Sequence, residues 1–547
     1  MRRIVFAFSV LVWGSLARAY PGPDSVAVLA NADVAESAAL ADSYAAARDL
    51  PARQVCKIAG VPQTDDVSLA DYQTKVLAPF EQCLTTNGVH DRIEAVVIMR
   101  GVPLRVAVPI SSGTTNVSLA AALATWESTI VGGDAGSDAL LGQEPGQIVN
   151  CGSPCYGARW ANPLLTLKTP FAAGYTTTAG GVVWKPLLVT MLTGRSQADA
   201  QMLIDSATQA EKNGGAKGTF MFMDGADSAR NVLDTDFPTI INDLKALGYT
   251  DAQEVPFDSD LTGQTLASFF VGTSSLGQTI EGNTYLPGSL VDNHTSFGAV
   301  PQNFAPTGES QVSIARWVEK GVGGAHGTVD EPLNNVFPRR LLIVDYVNGA
   351  PLAEAYFRWL PYQYWKNLVL GDPMLAPYAK RPVVTITGLA DGATETDATT
   401  VTAAATDPNG AGIGHIALYV DGVSVAEADA DTVSACVKVP AQAGVQILAV
   451  AQTATGSGAL AKFPPKGWAQ IHVTGQSAGA TTCPTDDGGV ADASDEGGDA
   501  GDGGGGGGGG CSCDAAGARA GSPLGLLALA LALTLRSSRA SRSRRRR

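Results

Sequence analysis

Five side chains in the second half of the chain could carry out nucleophilic catalysis. Ser296 has a hydroxyl nucleophile, His326 has an imidazole base, Glu331 has a carboxylate, and Asp292 and His294 lie nearby in sequence. A serine hydrolase needs a base within hydrogen-bond reach of the hydroxyl and a third group that orients the base. The neighbours of the serine do not form the G-x-S-x-G elbow of α/β-hydrolases. These residues therefore allow a hydrolase without requiring one.

The same carboxylates and imidazoles could also bind a divalent ion, because both ligand types suit several metals. Asp292, His294, His326 and Glu331 would supply them. No H-E-x-x-H or similar spacing supports such a site, and the chain has no phosphate-binding glycine loop of the P-loop or Rossmann type. We therefore predict no metal and no cofactor. The alternative is that the two histidines hydrogen-bond backbone groups at the edge of a sheet.

The elements that must position these groups follow an alternating pattern of short apolar runs and amphipathic helices. A buried strand is predicted over 93–99, and helices are predicted over 197–212 and 309–320. This alternation predicts an α/β domain over 20–380, with a mostly parallel sheet flanked by helices on both faces. Ligands of such sheets bind at the carboxyl ends of the strands, where Asp224, Arg100 and the segment 272–275 fall.

The apolar pattern changes to a period of two after Arg381. Short alternating runs are separated by strong turns such as 407–410. About ninety residues of this kind are typical of an immunoglobulin-like β-sandwich, which we predict over 381–475. Modules of this type commonly serve as spacers or adhesive units.

The amino terminus has the three parts of a secretory signal peptide over 1–19. A basic start precedes a short apolar run, and small residues precede a cleavage site between Ala19 and Tyr20. The sequence therefore predicts export by a Sec-type signal.

The carboxyl terminus contains a spacer and a charged tail. Residues 476–510 are rich in Asp and Gly and are predicted to be a disordered linker. Residues 511–547 contain Cys511 and Cys513, a short hydrophobic segment and an arginine-rich end. The hydrophobic run is shorter than the ~20 residues of a stable span, so it predicts at most a marginal transmembrane segment.

This order of parts resembles the C-terminal sorting signal of myxobacterial surface proteins. The resemblance implies a membrane-embedded sorting protease as a partner, with processing or lipid attachment near Cys511 and Cys513 as a second position. It also implies a location at the cell surface or outer membrane, with anchoring near the carboxyl terminus. The alternative is a single-pass tail anchor that is not cleaved.

An exported chain meets an oxidising environment, where disulfides form. Outside the tail the chain has six cysteines: Cys56, Cys83, Cys151, Cys155, Cys436 and Cys483. Six cysteines allow 15 pairings, and the sequence alone does not choose among them. Nearness in the chain favours Cys56 with Cys83 and Cys151 with Cys155.

Several sequence segments of the α/β region resemble an uncharacterised family of exported bacterial proteins. That family occurs with exosortase-type sorting systems. They lie within residues 24–380 and cover 31–51, 100–105, 286–298, 327–332 and 371–373. That family has no established activity, so the resemblance implies a fold and no mechanism.

A more remote similarity links the order of elements to the gingipain and caspase-like peptidase clan. In that clan one strand ends in a His-Gly turn and the next ends in the nucleophilic cysteine. Here Thr273-Ser274-Ser275 and 293–296 stand at those positions, and no cysteine lies between Cys155 and Cys436. The departure argues against a thiol peptidase in this region.

The composition and net charge of the chain argue against one class of function, nucleic-acid binding. The 547 residues carry a formal net charge of −15, with 45% hydrophobic and 16% charged residues. The acidic balance argues against a nucleic-acid partner, which needs a clustered basic face. We expect a cell-surface protein with a non-catalytic interaction or envelope role and an envelope or extracellular partner. The alternative is a peptidase-like hydrolase with a non-thiol nucleophile.

Overall fold

A computed structural model shows how these segments fold. It describes residues 20–110, 113–126, 138–140, 159–162, 175–176, 183–184, 187–305, 308–334, 336–395, 397–456, 462–476 and 483. None of the helices within these ranges is long and apolar enough to cross a membrane. The predicted signal peptide with Ala19, the linker after residue 483, and the tail with its hydrophobic segment lie outside the described residues.

Eighteen strands lie in the described part of the α/β region. They are β1 (Val26–Asn31), β2 (Val55–Ile58), β3 (Asp66–Ser68), β4 (Ala95–Met99), β5 (Arg105–Ile110), β6 (Gly113–Ser118), β7 (Asp138–Leu140), β8 (Arg159–Ala161), β9 (Tyr175–Thr176), β10 (Val183–Trp184), β11 (Leu188–Leu192), β12 (Thr219–Met223), β13 (Ala252–Val255), β14 (Thr265–Val271), β15 (Thr284–Asn293), β16 (Gly324–Thr328), β17 (Tyr362–Tyr364) and β18 (Asn367–Gly371).

Helices connect these strands. They are α1 (Ala35–Ala47), α2 (Leu69–Asp71), α3 (Ala78–Thr86), α4 (Leu119–Leu123), α5 (Gln197–Asn213), α6 (Phe237–Ala246), α7 (Ile314–Val318), α8 (Leu342–Val347) and α9 (Leu352–Trp359). A π-helical segment (Tyr72–Leu77) joins α2 to α3, and the described residues also contain the 3₁₀ turns Ala52–Gln54, His90–Arg92, Asp234–Asp236 and Pro301–Phe304.

Ten strands form one large sheet in the order β13-β12-β14-β15-β16-β18-β11-β4-β1-β2. The neighbours β2, β1, β4 and β11 pair in parallel, as do β13, β12, β14, β15 and β16. Every residue of β4, β11 and β12 is buried, so both faces of the sheet are covered. The predicted mostly parallel α/β sheet is confirmed.

One strand of this sheet breaks the parallel pattern. β18 runs antiparallel to β16 over five residue pairs and is joined to β11 through one pair, Met191 with Leu370. Gly371 ends β18 at φ +131°, where an added Cβ would lie 2.6 Å from the carbonyl oxygen of Gly323. Only glycine fits this crossing, because the backbone conformation and the close approach both exclude a side chain.

The Gly-Asp-Pro segment at 371–373 contributes Asp372, which is the centre of a buried ion network. The Asp372 carboxylate accepts hydrogen bonds from Tyr44 Oη (2.7 Å) and from the guanidinium of Arg48. Arg48 also donates to Glu211 Oε2 at 2.6 Å, and Glu211 accepts from Arg381 at 2.9 Å. This network joins α1, α5 and the segment that leads out of the sheet.

Eight further strands follow: β19 (Val383–Thr387), β20 (Thr394–Glu395), β21 (Thr399–Thr406), β22 (Ile413–Val420), β23 (Val423–Ala428), β24 (Thr432–Val437), β25 (Gly444–Thr453) and β26 (Lys466–Gly475). They form two sheets in the orders β19-β21-β24 and β20-β26-β25-β22-β23. Alternate side chains of both sheets share one apolar core that includes Val401, Leu418 and Ile447. This arrangement is the predicted immunoglobulin-like sandwich.

Two disulfides are present among the described residues. Cys56 in β2 is bonded to Cys83 in α3, which confirms that predicted pair. Cys436 in β24 is bonded to Cys483, a pairing that nearness in sequence did not single out. Cys151 and Cys155 lie outside the described residues.

The sandwich packs against the amino ends of the parallel strands. Lys466, at the start of β26, lies 3.2 Å from the carboxylate of Asp24 and 3.6 Å from that of Glu94. Asp24 precedes β1 and Glu94 precedes β4. All three side chains are buried, so the two domains share a desolvated ionic contact.

Asp49 provides a second contact between the domains. It adopts φ +56°, and its carboxylate accepts hydrogen bonds from Trp468 Nε1 (2.9 Å) and the Gln470 amide. Its carbonyl oxygen accepts from Gln446 Nε2 at 2.9 Å. A left-handed backbone at a non-glycine residue is uncommon and persists only where its surroundings fix it. The sandwich is therefore held in one position against the end of the sheet.

Candidate functional site

The predicted candidates Asp292 and His326 meet across neighbouring strands. Asp292 in β15 is in register with His326 in β16, and His326 Nδ1 lies 2.8 Å from Asp292 Oδ2. His326 Nε2 lies 2.9 Å from Oδ1 of Asn367, the first residue of β18. Nδ1 is thus within ion-pair distance of a carboxylate, Nε2 is hydrogen-bonded to an amide, and the imidazole is fully buried. This histidine is not placed to take a proton from an exposed hydroxyl.

Arg340 completes the cluster on the other side of Asp292. Its Nη1 donates to Asp292 Oδ1, and its Nη2 donates to the carbonyl oxygen of Val271 at 3.3 Å. Burial opposes ionisation of Asp292, but the Arg340 guanidinium and then His326 outweigh it and hold the pKa of Asp292 below its usual value. The carboxylate is a charged structural centre between β14, β15 and β16. The sequence candidates did not include Arg340.

Ser296 lies beyond the end of β15 and has a different partner. Its hydroxyl donates to Glu331 Oε1 at 2.9 Å, and its carbonyl oxygen accepts from Thr328 Oγ1 at 2.7 Å. The structure therefore brings Ser296 together with Glu331 and places His326 with Asp292. The five candidates form two separate pairs and one further residue.

His294 is that remaining residue. It is almost completely buried, neither ring nitrogen has a hydrogen-bond partner, and its ring centroid lies 4.1 Å from that of Phe337. Burial and then the positive charge of Arg340 lower the pKa of His294 to about 3, although Asp292 acts in the opposite direction. The imidazole is therefore neutral at physiological pH.

The two strand ends compared above with the peptidase clan are joined by an amide side chain. Asn293 Oδ1 accepts from the backbone N–H of Thr273 at 2.9 Å, and Asn293 Nδ2 donates to the Thr273 carbonyl oxygen at 3.0 Å. Both residues are buried. The adjacent Gly272 is covered by the Arg230 carbonyl oxygen, which an added Cβ would approach to 2.0 Å. Protein groups occupy the space at these strand ends.

Lys366 is a further buried ionisable group near this edge. Its Nζ donates to the Glu331 carbonyl oxygen at 2.7 Å and lies 3.2 Å from Asp330 Oδ2. Burial lowers the pKa of Lys366, while Asp330 opposes that change. Sequence reasoning missed this residue, although the acidic Asp330-Glu331 pair was a signal for a nearby cation.

The acidic and imidazole side chains do not gather into a metal centre in the described part of the chain. No group of three or more His, Cys, Asp or Glu residues there is arranged to hold an ion. Tyr20 is buried, and its hydroxyl donates to the Gly349 carbonyl oxygen at 3.1 Å. Ala19, Cys511 and Cys513 lie outside the described residues.

Comparison with known sequences identifies one domain. Residues 382–450 match the bacterial Ig domain family Big_7, which confirms the immunoglobulin-like domain expected there. No curated protein sequence matches the chain significantly.

Solved structures show weak similarity. One titled "Structure of Protease" is 12% identical, covers 83% of this chain and 98% of its own, and has a TM-score of 0.41. Fibronectin(III)-like modules of Clostridium thermocellum CbhA are 13% identical, over 21% of this chain and 53% of theirs, with a TM-score of 0.15. The spore cortex lytic enzyme SleM of Clostridium perfringens is 9% identical, covers 52% of this chain and 78% of its own, and has a TM-score of 0.14. Likenesses at these values assign no activity.

Proposed function

We propose that this chain is an exported, surface-anchored protein whose α/β domain acts by binding and not by catalysis. The observation that carries the proposal is the placement of His326, whose two ring nitrogens are engaged by Asp292 and Asn367 in the core of the sheet. A serine nucleophile needs a base that can reach its hydroxyl proton. The Ser296 hydroxyl instead donates to Glu331.

Three further features support this proposal. The Asn293 side chain bonds the Thr273 backbone, and the Arg230 backbone covers Gly272. Protein groups therefore fill the space at these neighbouring strand ends. The two disulfides suit an oxidising compartment outside the cytoplasm. The Ig domain is of a kind that serves in bacterial surface proteins as a spacer or adhesive unit.

The Ser296–Glu331 hydrogen bond also supports a second candidate function, a hydrolase with a serine nucleophile. The hydroxyl is half-buried and 2.9 Å from a carboxylate that could accept its proton. Glu331 would then act as the general base, without an imidazole.

Labelling with a serine-directed probe separates these two functions. We expect purified full-length protein treated with a fluorophosphonate to carry no adduct on Ser296, because no imidazole is placed to activate this hydroxyl and a carboxylate is a weak base. Intact mass and peptide mapping would show the label, with a known serine hydrolase as the positive control. An adduct on Ser296 that disappears in Ser296→Ala and in Glu331→Gln, but persists in Ser310→Ala, would establish the hydrolase and refute the binding function.

Binding itself is measured on cells that lack the protein. Fluorescently labelled protein should bind to the outer surface of such cells to saturation, and an excess of unlabelled protein should displace it. Absence of saturable binding to cells, envelope fractions and secreted matrix would overturn the binding proposal.

Anchoring near the carboxyl terminus is tested at Cys511. We expect Cys511→Ala to move most of the protein from the cell surface to the culture medium, since the proposed processing or lipid attachment needs this thiol. Surface protease accessibility and immunoblotting of the medium measure the change. Ser512→Ala is the matched control and should leave surface display unchanged. Surface display that stays the same in Cys511→Ala would show that this cysteine is not the anchor.

A further inference from the structure

A cavity of about 340 Å³ opens at the carboxyl ends of three parallel strands. Val34 follows β1, Arg100 follows β4, and Thr193 follows β11, and all three line the cavity. The segments 63–65 and 301–305 close its sides. Its volume is in the range of small-ligand pockets.

The position of this cavity has a topological cause. The chain passes from β1 to β2 on one side, then returns to β4 on the other side of β1. Loops that leave β1 and β4 therefore diverge to opposite sides, and a crevice is left between them. Ligands of open α/β sheets bind in this type of crevice. The cavity is distinct from the strand ends that hold Ser296 and His294.

Arg100 is held rigidly at the wall of the cavity. Its guanidinium donates to the carbonyl oxygens of Gly194 (3.4 Å) and Arg195 (3.2 Å) and to Glu36 Oε2 (3.1 Å). These bonds use three of the five N–H groups of an arginine. A donor that is already fixed binds a ligand with a smaller entropy cost than a mobile side chain.

Asp65 supplies an acceptor at the same cavity. Its backbone carbonyl accepts from the N–H groups of Leu104 and Arg105, so its position is set by the start of β5. Burial and the neighbouring Asp66 raise the pKa of Asp65, whereas Arg105 and Arg100 oppose the rise. A carboxylate accepts charge-assisted hydrogen bonds from hydroxyl donors, which are shorter and stronger than those between neutral groups.

The other residues that line the cavity have either apolar side chains or uncharged polar side chains. Val102, Leu104 and Phe304 are buried side chains that line the cavity, while Gln63 and Thr64 stand at its exposed side. A simple anion would be repelled by Asp65, and it would find the Arg100 guanidinium already paired with Glu36. A neutral ligand with several hydroxyl groups and an apolar ring face satisfies both groups and contacts the apolar wall.

We propose that this cavity binds a neutral, hydroxyl-rich ring, namely one sugar residue of a polysaccharide. This inference deepens the proposed binding function by naming its ligand class and rests on it. The carboxylate of Asp65 and the guanidinium of Arg100 bond ring hydroxyls, and Phe304 and Leu104 contact the carbon face of the ring.

The test uses full-length protein and two probes, an array of immobilised neutral glycans and saturation-transfer NMR with methyl glycosides of glucose, galactose and N-acetylglucosamine. We expect binding to at least one of these. Asp65→Ala should weaken it about tenfold or more, the effect of losing a hydrogen bond to a charged group. Thr64→Trp should abolish it, because the indole would fill the entrance. Asp243→Ala and Thr250→Trp, exposed positions of α6 and the turn after it, are the matched controls.

The outcomes separate this inference from the proposed function. Binding to intact cells with no binding to any neutral glycan or methyl glycoside would refute the sugar ligand and leave the binding function standing. Glycan binding that survives both Thr64→Trp and Asp65→Ala would refute this cavity as the site. A response only to charged amino acids or peptides would refute the ligand class.

Discussion

Replacing Asp372 by asparagine is expected to lower the free energy of unfolding by about 3–5 kcal/mol, the cost of removing one partner from a buried ion pair. Asp372 is fully buried, and its loss of charge leaves Arg48 with Glu211 as its remaining acidic partner. Burial opposes ionisation of Glu211, but Arg48 and then Arg381 lower the pKa of Glu211 to about 2. Glu211 is therefore ionised throughout the physiological range. Urea unfolding followed by circular dichroism would measure the change.

A double-mutant cycle distinguishes loss of this pair from a general packing defect. Asp372→Asn combined with Arg48→Met should cost less than the two single changes added together, because the second change removes the charge that the first left unpaired. Asp71→Asn, which removes an exposed 2.8 Å ion pair with Lys75, is the control and should leave the unfolding midpoint unchanged. Additive effects in the cycle would show that Asp372 and Arg48 do not stabilise each other.

Acid should destabilise the protein through His294. The pKa of His294 is about 3 when folded and about 6.5 when unfolded, so below pH 6.5 the unfolded chain binds a proton that the folded protein does not. Its contribution to stability is therefore complete above pH 6.5 and declines as the pH falls towards 3. The expected loss is about 2 kcal/mol between pH 7 and pH 5, and about 4–5 kcal/mol by pH 3.

His294→Phe should remove this loss and keep the ring that packs on Phe337. At pH 7 the variant should be at least as stable as the parent, because two buried nitrogens without partners are removed. Unfolding midpoints at several pH values between 7 and 5 would measure both effects. His472→Gln, at an exposed position of β26, is the control. An identical pH profile for His294→Phe and the parent would contradict the assigned role.

The central strands could be predicted from the sequence because their apolar runs are continuous. β4 (Ala95–Met99) lies inside the large sheet, is buried throughout, and falls within the strand predicted over 93–99. The edge strands β13 and β23 were not predicted, since their side chains are largely exposed and show no apolar run. Apolar residues mark positions that are buried in the fold. Their pattern therefore does not predict strands whose side chains are exposed at the edge of a sheet.

The helix predicted over 309–320 was wrong in extent. Only Ile314–Val318 is helical, because Ser310 and Ser313 bond with Asn303 and the Ser313 hydroxyl accepts from Ala315 N–H at the helix start. These bonds join the segment to the preceding loop. Helical periodicity in the sequence does not reveal that bonds to another segment will replace the helical hydrogen bonds.

The pairing of the candidate residues could not be predicted for a different reason. Asp292 and His326 are neighbours only because β15 and β16 pair in one register, and a shift by one residue would place the side chains on opposite faces. Arg340 and Asn367, which engage the same pair, are separated from them by 14 residues or more in the chain. Composition and local spacing carry no information about such a register.

The position of the Ig domain gives the molecule a defined polarity. The ionic contact of Lys466 lies at the amino ends of β1 and β4, whereas the cavity beside Arg100 lies at their carboxyl ends. A strand of six residues separates these ends by about 20 Å. A partner that held the Ig domain would therefore leave the cavity open at the opposite end of the sheet, where a long polymer could approach it without meeting that partner.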